Sequence, residues 1–301
     1  MGTAIPGDVM TGIAQSLATA LGARVAPQPS HGVHGGCISE SFRWESARGA
    51  LFVKVGDLAS AAAFEAEAAG LEELASVRAV RVPQVLACGR TAARAFLALE
   101  WLDLHRAGSD CESRLGEQLA FQHRAGAATF GWQRSNTIGS TPQSNDPATD
   151  WVAFFRERRL RFQLDLARDN GHGGALQERG RHLLALMPAF FTSYRPVPSL
   201  LHGDLWSGNF AADAAGAPVI FDPAVYYGDR EADIAMTRLF GGFGHAFYTA
   251  YQSSWPLDQA AGTRRTLYNL YHVLNHLNLF GGGYREQAQS MIDRLLAELG
   301  Q

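Results

Sequence analysis

The sequence predicts a two-lobed α+β protein: a small N-terminal antiparallel-sheet lobe over residues 1–102 and a larger, mainly helical lobe over residues 103–301. Three observations carry this. The 301 residues, 47% of them apolar, are more than one small core requires. The first hundred residues read as strands around one embedded helix. After Leu102 the pattern turns helical, broken by a single strand-like island at 198–228.

Taken in order, residues 8–21 form the first helix. Val9, Ile13, Leu17 and Leu21 recur every fourth position, Asp8 stands where a cap belongs and Gly22 where a stop belongs. "HGVHGGCISESFRWES" is a glycine-containing turn running into a strand. "ALFVKVG" returns as its hairpin partner after the "SARG" turn. Residues 60–75 are an alanine-rich helix, and "VPQVLACG" and "AFLALEWL" add two strands. Helices follow at 113–128, 150–169, 176–194, 229–239, 243–254, 262–280 and 284–299. The stretch 137–150 is a long turn-forming loop, and 169–174, "DNGHGG", is a shorter break. There is no internal repeat. Two lobes imply a cleft, a common place for a ligand.

Charged residues make up 18% of the chain and the net charge is −3, so the basic excess of a nucleic-acid binder is absent. "MGTAIPGDVM" has no signal-peptide pattern, and no run approaches the ~20 apolar residues of a membrane span. Cys37, Cys88 and Cys111 are an odd set without metal-ligand spacing. The expectation is a soluble, cytoplasmic protein with neither nucleic-acid nor membrane partners.

The island holds the chemistry. "LLHGDLWSGNF" places His202, Asp204 and Asn209 in one tight loop, and "PVIFDPA" ends a short apolar strand on Asp222. Two carboxylates and an amide oxygen converging there are hard ligands suited to Mg²⁺, with phosphate and water completing the shell. The spacing matches a kinase catalytic loop, in which Asn follows Asp by five residues and a second metal-binding Asp comes later. Gly203 stands in place of arginine, and Asp222 opens Asp-Pro rather than Asp-Phe-Gly. In this reading Asp204 is the base, and Asn209 and Asp222 hold Mg²⁺ on the phosphates of ATP. A plain turn with self-capping Asp and Asn side chains is the competing reading.

Support comes from the N-terminal half. Lys54 lies inside the apolar strand "LFVKV", sharing a face with Phe52. In the next helix Glu67 falls on the stripe of Phe64, Ala68, Leu71 and Leu74, the face that should be buried, while Glu65, Glu72 and Glu73 read as surface charges. A buried carboxylate needs a partner, and Lys54 is the obvious one. A strand Lys paired with a helix Glu is how a kinase holds the α- and β-phosphates of ATP. Gly35 and Gly36 would let backbone N–H groups approach phosphate. The backbone at Glu100 and Leu102, where the lobes join, is the expected adenine contact. An edge-strand lysine with a helix-edge glutamate, both solvated, is the alternative.

With these residues in place, the chain resembles the fructosamine-3-kinase (ketosamine kinase) family, relatives of aminoglycoside phosphotransferases and choline kinases. The resemblance rests on "FEAEAAGLEEL", "HRAGAATFGWQRSNTIGSTPQSN", "WVAFFRERRL", "LLHGDLWSGN" and "VIFDPAVYYGDREADIAMTRLFGGF" in order, across residues 64–243. It implies a protein-kinase-like fold. It also implies ATP- and Mg²⁺-dependent phosphorylation of the 3-hydroxyl of fructosamine, ribulosamine or erythrulosamine adducts, after which the unstable 3-phosphate falls off and the amine is freed. It assigns Trp206, Tyr226, Tyr227 and Arg230 to the acceptor side, with plain packing as the alternative, and His202 and Asp233 to support of the catalytic loop. It makes Cys37 a candidate redox residue, oxidised as an intermolecular disulfide, against the alternative of an inert strand thiol; the protein is accordingly a monomer or a Cys37-linked dimer. Asp229 departs from the histidine of "YYGHRE", which touches acceptor preference. Gln122 departs from a leucine, a change expected to affect helix packing only.

His272 and His276, four apart on a helix, lack a third ligand and read as ordinary histidines. "RERRLR", 156–161, reads as the wet face of an amphipathic helix. An aminoglycoside, choline or homoserine kinase remains a rival for the acceptor, and a nucleotide-binding module without turnover is a rival of another class. The short Asp222–Asp233 interval has no room for the activation segment of a protein kinase.

Overall fold

The structure is a computed structural model that describes residues 5–33 and 40–301; Gly35, Gly36 and Cys37 lie outside the described residues. Helix α1 (Gly7–Leu21) precedes strands β1 (His31–Val33), β2 (Glu40–Ser46) and β3 (Gly49–Gly56). Helix α2 (Ala61–Val77) follows, then β4 (Val85–Arg90) and β5 (Ala95–Glu100). The five strands form one antiparallel sheet in the order β1-β2-β3-β5-β4. Alternation along β3 sends Leu51, Val53 and Val55 to one face, where Trp44, Phe96 and Ala98 meet Ile13, Leu17 and Leu21 of α1. Lys54 takes the opposite face, toward α2. Pro6, not Asp8, sits at the N-cap of α1, and no side chain caps that helix; Gly22 ends it with φ 58°.

The helical part begins with α3 (Ser109–Gln122), packed along α8 (His245–Ser254). The stretch expected to be an open loop carries a small hairpin, β6 (Asn136–Ile138) with β7 (Thr141–Gln143). Helices α4 (Trp151–Phe155) and α5 (Phe162–Asp169) run on through a π-helical turn, Arg156–Arg161, and α6 (Ala175–Leu186) packs beside them. The island comprises β8 (Ser199–Leu201), β9 (Phe210–Ala212), β10 (Pro218–Ile220) and β11 (Tyr226–Gly228), paired as β8 with β11 and β9 with β10. Helix α7 (Arg230–Met236) and α10 (Tyr284–Glu298) pack against the long central α9 (Ala261–Phe280). No helix among the described residues is long and apolar enough to cross a membrane.

The π turn overturns the wet-face reading of "RERRLR". Its wider winding turns Arg159 inward. That guanidinium is fully buried and stacks over Phe154 at 4.7 Å and Tyr226 at 4.4 Å. It donates to the Ser144 carbonyl and to Asn145 Oδ1, each at 2.6 Å. Arg156, Arg158 and Arg161 keep contact with solvent.

Helix α2 rests on the helical half as well as on its own sheet. Gly70 faces Val225 and Pro223, and a Cβ there would come within 3.1 Å of Val225 Cγ2. One turn on, Glu73 accepts from Tyr227 Oη at 2.7 Å and from Trp132 Nε1 at 3.4 Å, so it is a clasp between the two parts and not a free surface charge.

Gln122 does more than alter packing. It is fully buried, and both ends of its amide lack a hydrogen-bond partner. Leaving a buried polar group unpaired costs about 1–3 kcal/mol. Gln122→Leu, close in volume and free of polar atoms, should raise Tm by a few degrees in thermal unfolding; a lower Tm would show that the amide is satisfied in solution.

Candidate active site

Strand β8 delivers the chain into residues 202–209. Gly203 has φ 83°, and a Cβ on it would lie 2.1 Å from the Ala224 carbonyl oxygen. That explains why glycine, and not arginine, precedes Asp204 here. Asp233, on the first turn of α7, accepts the N–H groups of His202 at 2.7 Å and Gly203 at 2.8 Å. Burial pushes the Asp233 carboxyl up, but hydrogen bonds from His123 and the Gly203 amide outweigh it and hold it below the usual range.

His202 is fully buried, with Nε2 3.0 Å from the Phe221 carbonyl and Nδ1 3.3 Å from the Asp204 N–H. The bonds fix the tautomer: Nε2 carries the proton and Nδ1 accepts. Burial lowers its pKa, in keeping with a neutral ring. The Asn209 amide nitrogen donates to the Asp204 carbonyl at 2.9 Å, and lies 3.3 Å from Asp204 Oδ2 and 3.4 Å from the Asp222 carbonyl. One side chain thus ties both acidic segments together.

Lys54 is the bridge across the cleft. Its Nζ lies 2.7 Å from Glu67 Oε1 and 2.7 Å from Asp222 Oδ1. Desolvation works against the ammonium, but the two carboxylates overcome it and the Lys54 pKa rises. Burial pushes the Glu67 carboxyl up while Lys54 opposes the shift. Asp222 has φ 56°, a left-handed conformation uncommon outside glycine. Its side chain stays 40% exposed, against 10% for Lys54, so it faces the open cleft. The Asp204 carboxyl is pushed up to about 7, first by burial, then by Asp222, with the Asn209 bond opposing.

The oxygens of Asn209 and Asp222 form a hard donor set. Among the described residues no three His, Cys, Asp or Glu side chains gather into a metal cage. Mg²⁺ needs none when one or two carboxylates and substrate phosphates hold it, so the residues fit that ion. His272 and His276 form no such group either.

At the junction of the two parts, the Glu100 N–H donates to the Gln84 carbonyl and its Oε1 accepts the Gln84 N–H, both at 2.9 Å. Glu100 also meets Arg81, which is anchored on Asp213 at 2.7 Å. Leu102 follows just past the end of β5.

Three side chains assigned to the acceptor do not face the cleft. Tyr226 is buried, stacked with Trp151 and Phe154 and covered by Arg159. Tyr227 is spent on Glu73. Arg230 is buried, donating to the carbonyls of Trp255 at 2.9 Å and Pro256 at 2.6 Å. Asp229, expected at the substrate rim, is 1% exposed, caps α7 through the Glu231 N–H and accepts from Tyr194 and Tyr268. Trp206 stays half-exposed two residues from Asp204, whereas the half-exposed Tyr227 is turned to Glu73.

Sequence reasoning gave no role to His123. Its Nε2 lies 3.2 Å from Asp233 Oδ2, and its Nδ1 lies 2.8 Å from Tyr251 Oη. Asn136 and Gln143, on the unexpected hairpin, hold the carbonyls of Val225 at 2.8 Å and Ala224 at 3.3 Å. The only signal was their place in the "HRAGAATFGWQRSNTIGSTPQSN" stretch.

The fructosamine kinase family profile matches residues 9–298. The chain belongs to this family. A probable ketoamine kinase of Synechocystis sp. is 44% identical, over 94% of this chain and 96% of that protein. The chloroplastic protein-ribulosamine 3-kinase of Arabidopsis thaliana is 43% identical, over 89% of this chain and 82% of that protein. Among solved structures, a candidate fructosamine-3-kinase of Thermobifida fusca superposes with a TM-score of 0.85 at 31% identity, covering 95% of this chain and 99% of that one. The aminoglycoside phosphotransferase APH(4)-Ia superposes at 0.66 with 15% identity, over 95% and 98% of the two chains. The fold is therefore bilobal, α+β and protein-kinase-like, as the sequence predicted.

Removing the bridge leaves two carboxylates facing one another. Lys54→Ala should lose roughly 3 kcal/mol of stability at pH 8, the low end for breaking a buried pair. Glu67, whose folded pKa lies above its unfolded value, is destabilising once ionised and harmless once protonated. The Tm gap to wild type should therefore narrow as pH falls from 8 toward 5.5, and a gap independent of pH would contradict this account.

Proposed function

We propose that the protein is an ATP- and Mg²⁺-dependent kinase that phosphorylates the 3-hydroxyl of a ketosamine, a sugar adduct of an amine. The observation that carries this reading is the Lys54 ammonium held between Glu67 and Asp222, across the cleft from Asp204 and Asn209. It is a site for a triphosphate and a hydroxyl together. The printed names of the family relatives, ketoamine kinase and ribulosamine 3-kinase, support the acceptor class.

Lys54 sits where a donor can reach the α- and β-phosphates, and Glu67 fixes its position. Asn209 and Asp222 would hold Mg²⁺, which when bound neutralises phosphate charge. Asp204 accepts a hydrogen bond from the acceptor hydroxyl, aims its oxygen at the γ-phosphorus and takes the proton as the new P–O bond forms and the bond to the departing ADP breaks. The phosphoryl transition state is loose, so positioning and charge carry most of the rate. His202, Asp233 and His123 supply the rigidity that positioning requires. A 3-phosphorylated ketosamine is unstable: it eliminates inorganic phosphate from C3, and water then splits the dehydrated sugar from the amine. With ATP as donor, the cytoplasm is the natural setting.

A panel of ketosamines assayed with ATP and Mg²⁺, beside aminoglycoside and choline acceptors, should show turnover on the ketosamines. Asp204→Asn should bind ATP but turn over at least ~10²-fold more slowly; a near-wild-type rate would remove Asp204 as the base. Because the base must be ionised, kcat/KM should fall as pH drops. Its acid limb should lie no higher than about 7, since a cation at Asn209 and Asp222 favours the carboxylate.

A further inference from the structure

A strip of aromatic rings leads away from the catalytic loop. Trp206 meets Phe240 edge to face, with centroids 6.4 Å apart. Phe240 lies 4.5 Å from His276, and His276 lies 5.4 Å from Phe280 and 5.2 Å from Tyr284. The rings come from three separate segments: the catalytic loop, the turn after α7, and the junction of α9 with α10. Ser207 Oγ donates to the Phe240 carbonyl at 3.0 Å, which ties the second ring to the catalytic loop. Phe280 is 56% exposed, and the other four rings are half-buried. Rings that touch one another yet stay open to solvent are an unfinished surface.

We propose that this strip is the subsite for the amine side of the substrate, favouring ketosamines of apolar or aromatic amines. The proposal rests on the ketosamine reading above. A ketosamine held by its 3-hydroxyl at Asp204 carries its nitrogen on C1, two carbons away. The substituent on that nitrogen must leave the site within a few bonds, and Trp206, two residues from Asp204, begins a continuous path. A secondary ammonium is attracted to ring faces. His276 does not repel it: burial keeps the ring below its ordinary pKa, outweighing the bond from its Nδ1 to the His272 carbonyl at 2.9 Å, which works the other way. Beyond the nitrogen, an apolar substituent covers Phe280 and removes both surfaces from water.

The test compares two adducts of one sugar, one on methylamine and one on benzylamine. Wild type should favour the benzylamine adduct by about ten-fold in kcat/KM, chiefly through KM. In Phe280→Ala the ratio should fall to within two-fold of unity. Phe121→Ala, which removes another exposed aromatic far along the chain on α3, should keep it. Equal kcat/KM for the two adducts in wild type, or a preference that survives Phe280→Ala, overturns the subsite while leaving the kinase reading intact. If neither adduct is phosphorylated, the ketosamine reading falls and the subsite with it.

Discussion

One ammonium group organises the protein. Lys54 reaches from the middle of a sheet to a carboxylate on the neighbouring helix and another on the far side of the cleft. Each contact is a charge-assisted hydrogen bond; Lys54 and Glu67 lie where water is scarce, so neither can be moved without stranding a charge away from solvent, while Asp222 meets them from the open side of the cleft. The bridge sets the depth of α2 against the sheet and the position of Asp222 against the catalytic loop. It also gives the cleft a cation on one side and carboxylate and amide oxygens on the other.

The opposite wall rests on hydrogen bonding. Asp233 gathers two backbone N–H groups and a buried imidazole, and Asn209 joins the loops of Asp204 and Asp222. Below them, Arg159 sits among aromatic rings, bonded only to neutral oxygens. These groups contribute little net energy, because each must be stripped of water before it can bond. What they give is a single arrangement: a loop in which Asp204, the Asn209 amide and Asp222 have no second place to go.

Much of this was legible in the residues. Alternation placed Lys54 on the inner face of β3, and helical spacing placed Glu67 on the buried stripe. The interval from Asp204 to Asn209 marked a tight loop. Local pattern stopped being informative where an interaction joined segments distant in sequence. Arg159 reads as wet in an ideal helix, and only the π turn brings it inside. Tyr226 and Arg230 carry the chemistry of sugar contacts, but cross-chain packing spends them on Trp151, Phe154 and the carbonyls after α8. Asp229 reads as a rim residue until Tyr194 and Tyr268 are seen closing over it. His123 has no local signature at all, because its partners lie over a hundred positions away.

The missing side chain at residue 70 has a consequence for control. With only hydrogen facing Val225, the helix bearing Glu67 lies flush on the lower half, and the phenol of Tyr227 buttons it there through Glu73. Enzymes that govern phosphoryl transfer by swinging this helix need a hollow beneath it and a trigger to fill the hollow. Here the seat is already taken. The glycine at 70 and the Tyr227–Glu73 bond together leave no free space between this helix and Val225, so the carboxylate at 67 is held at one height above the cleft.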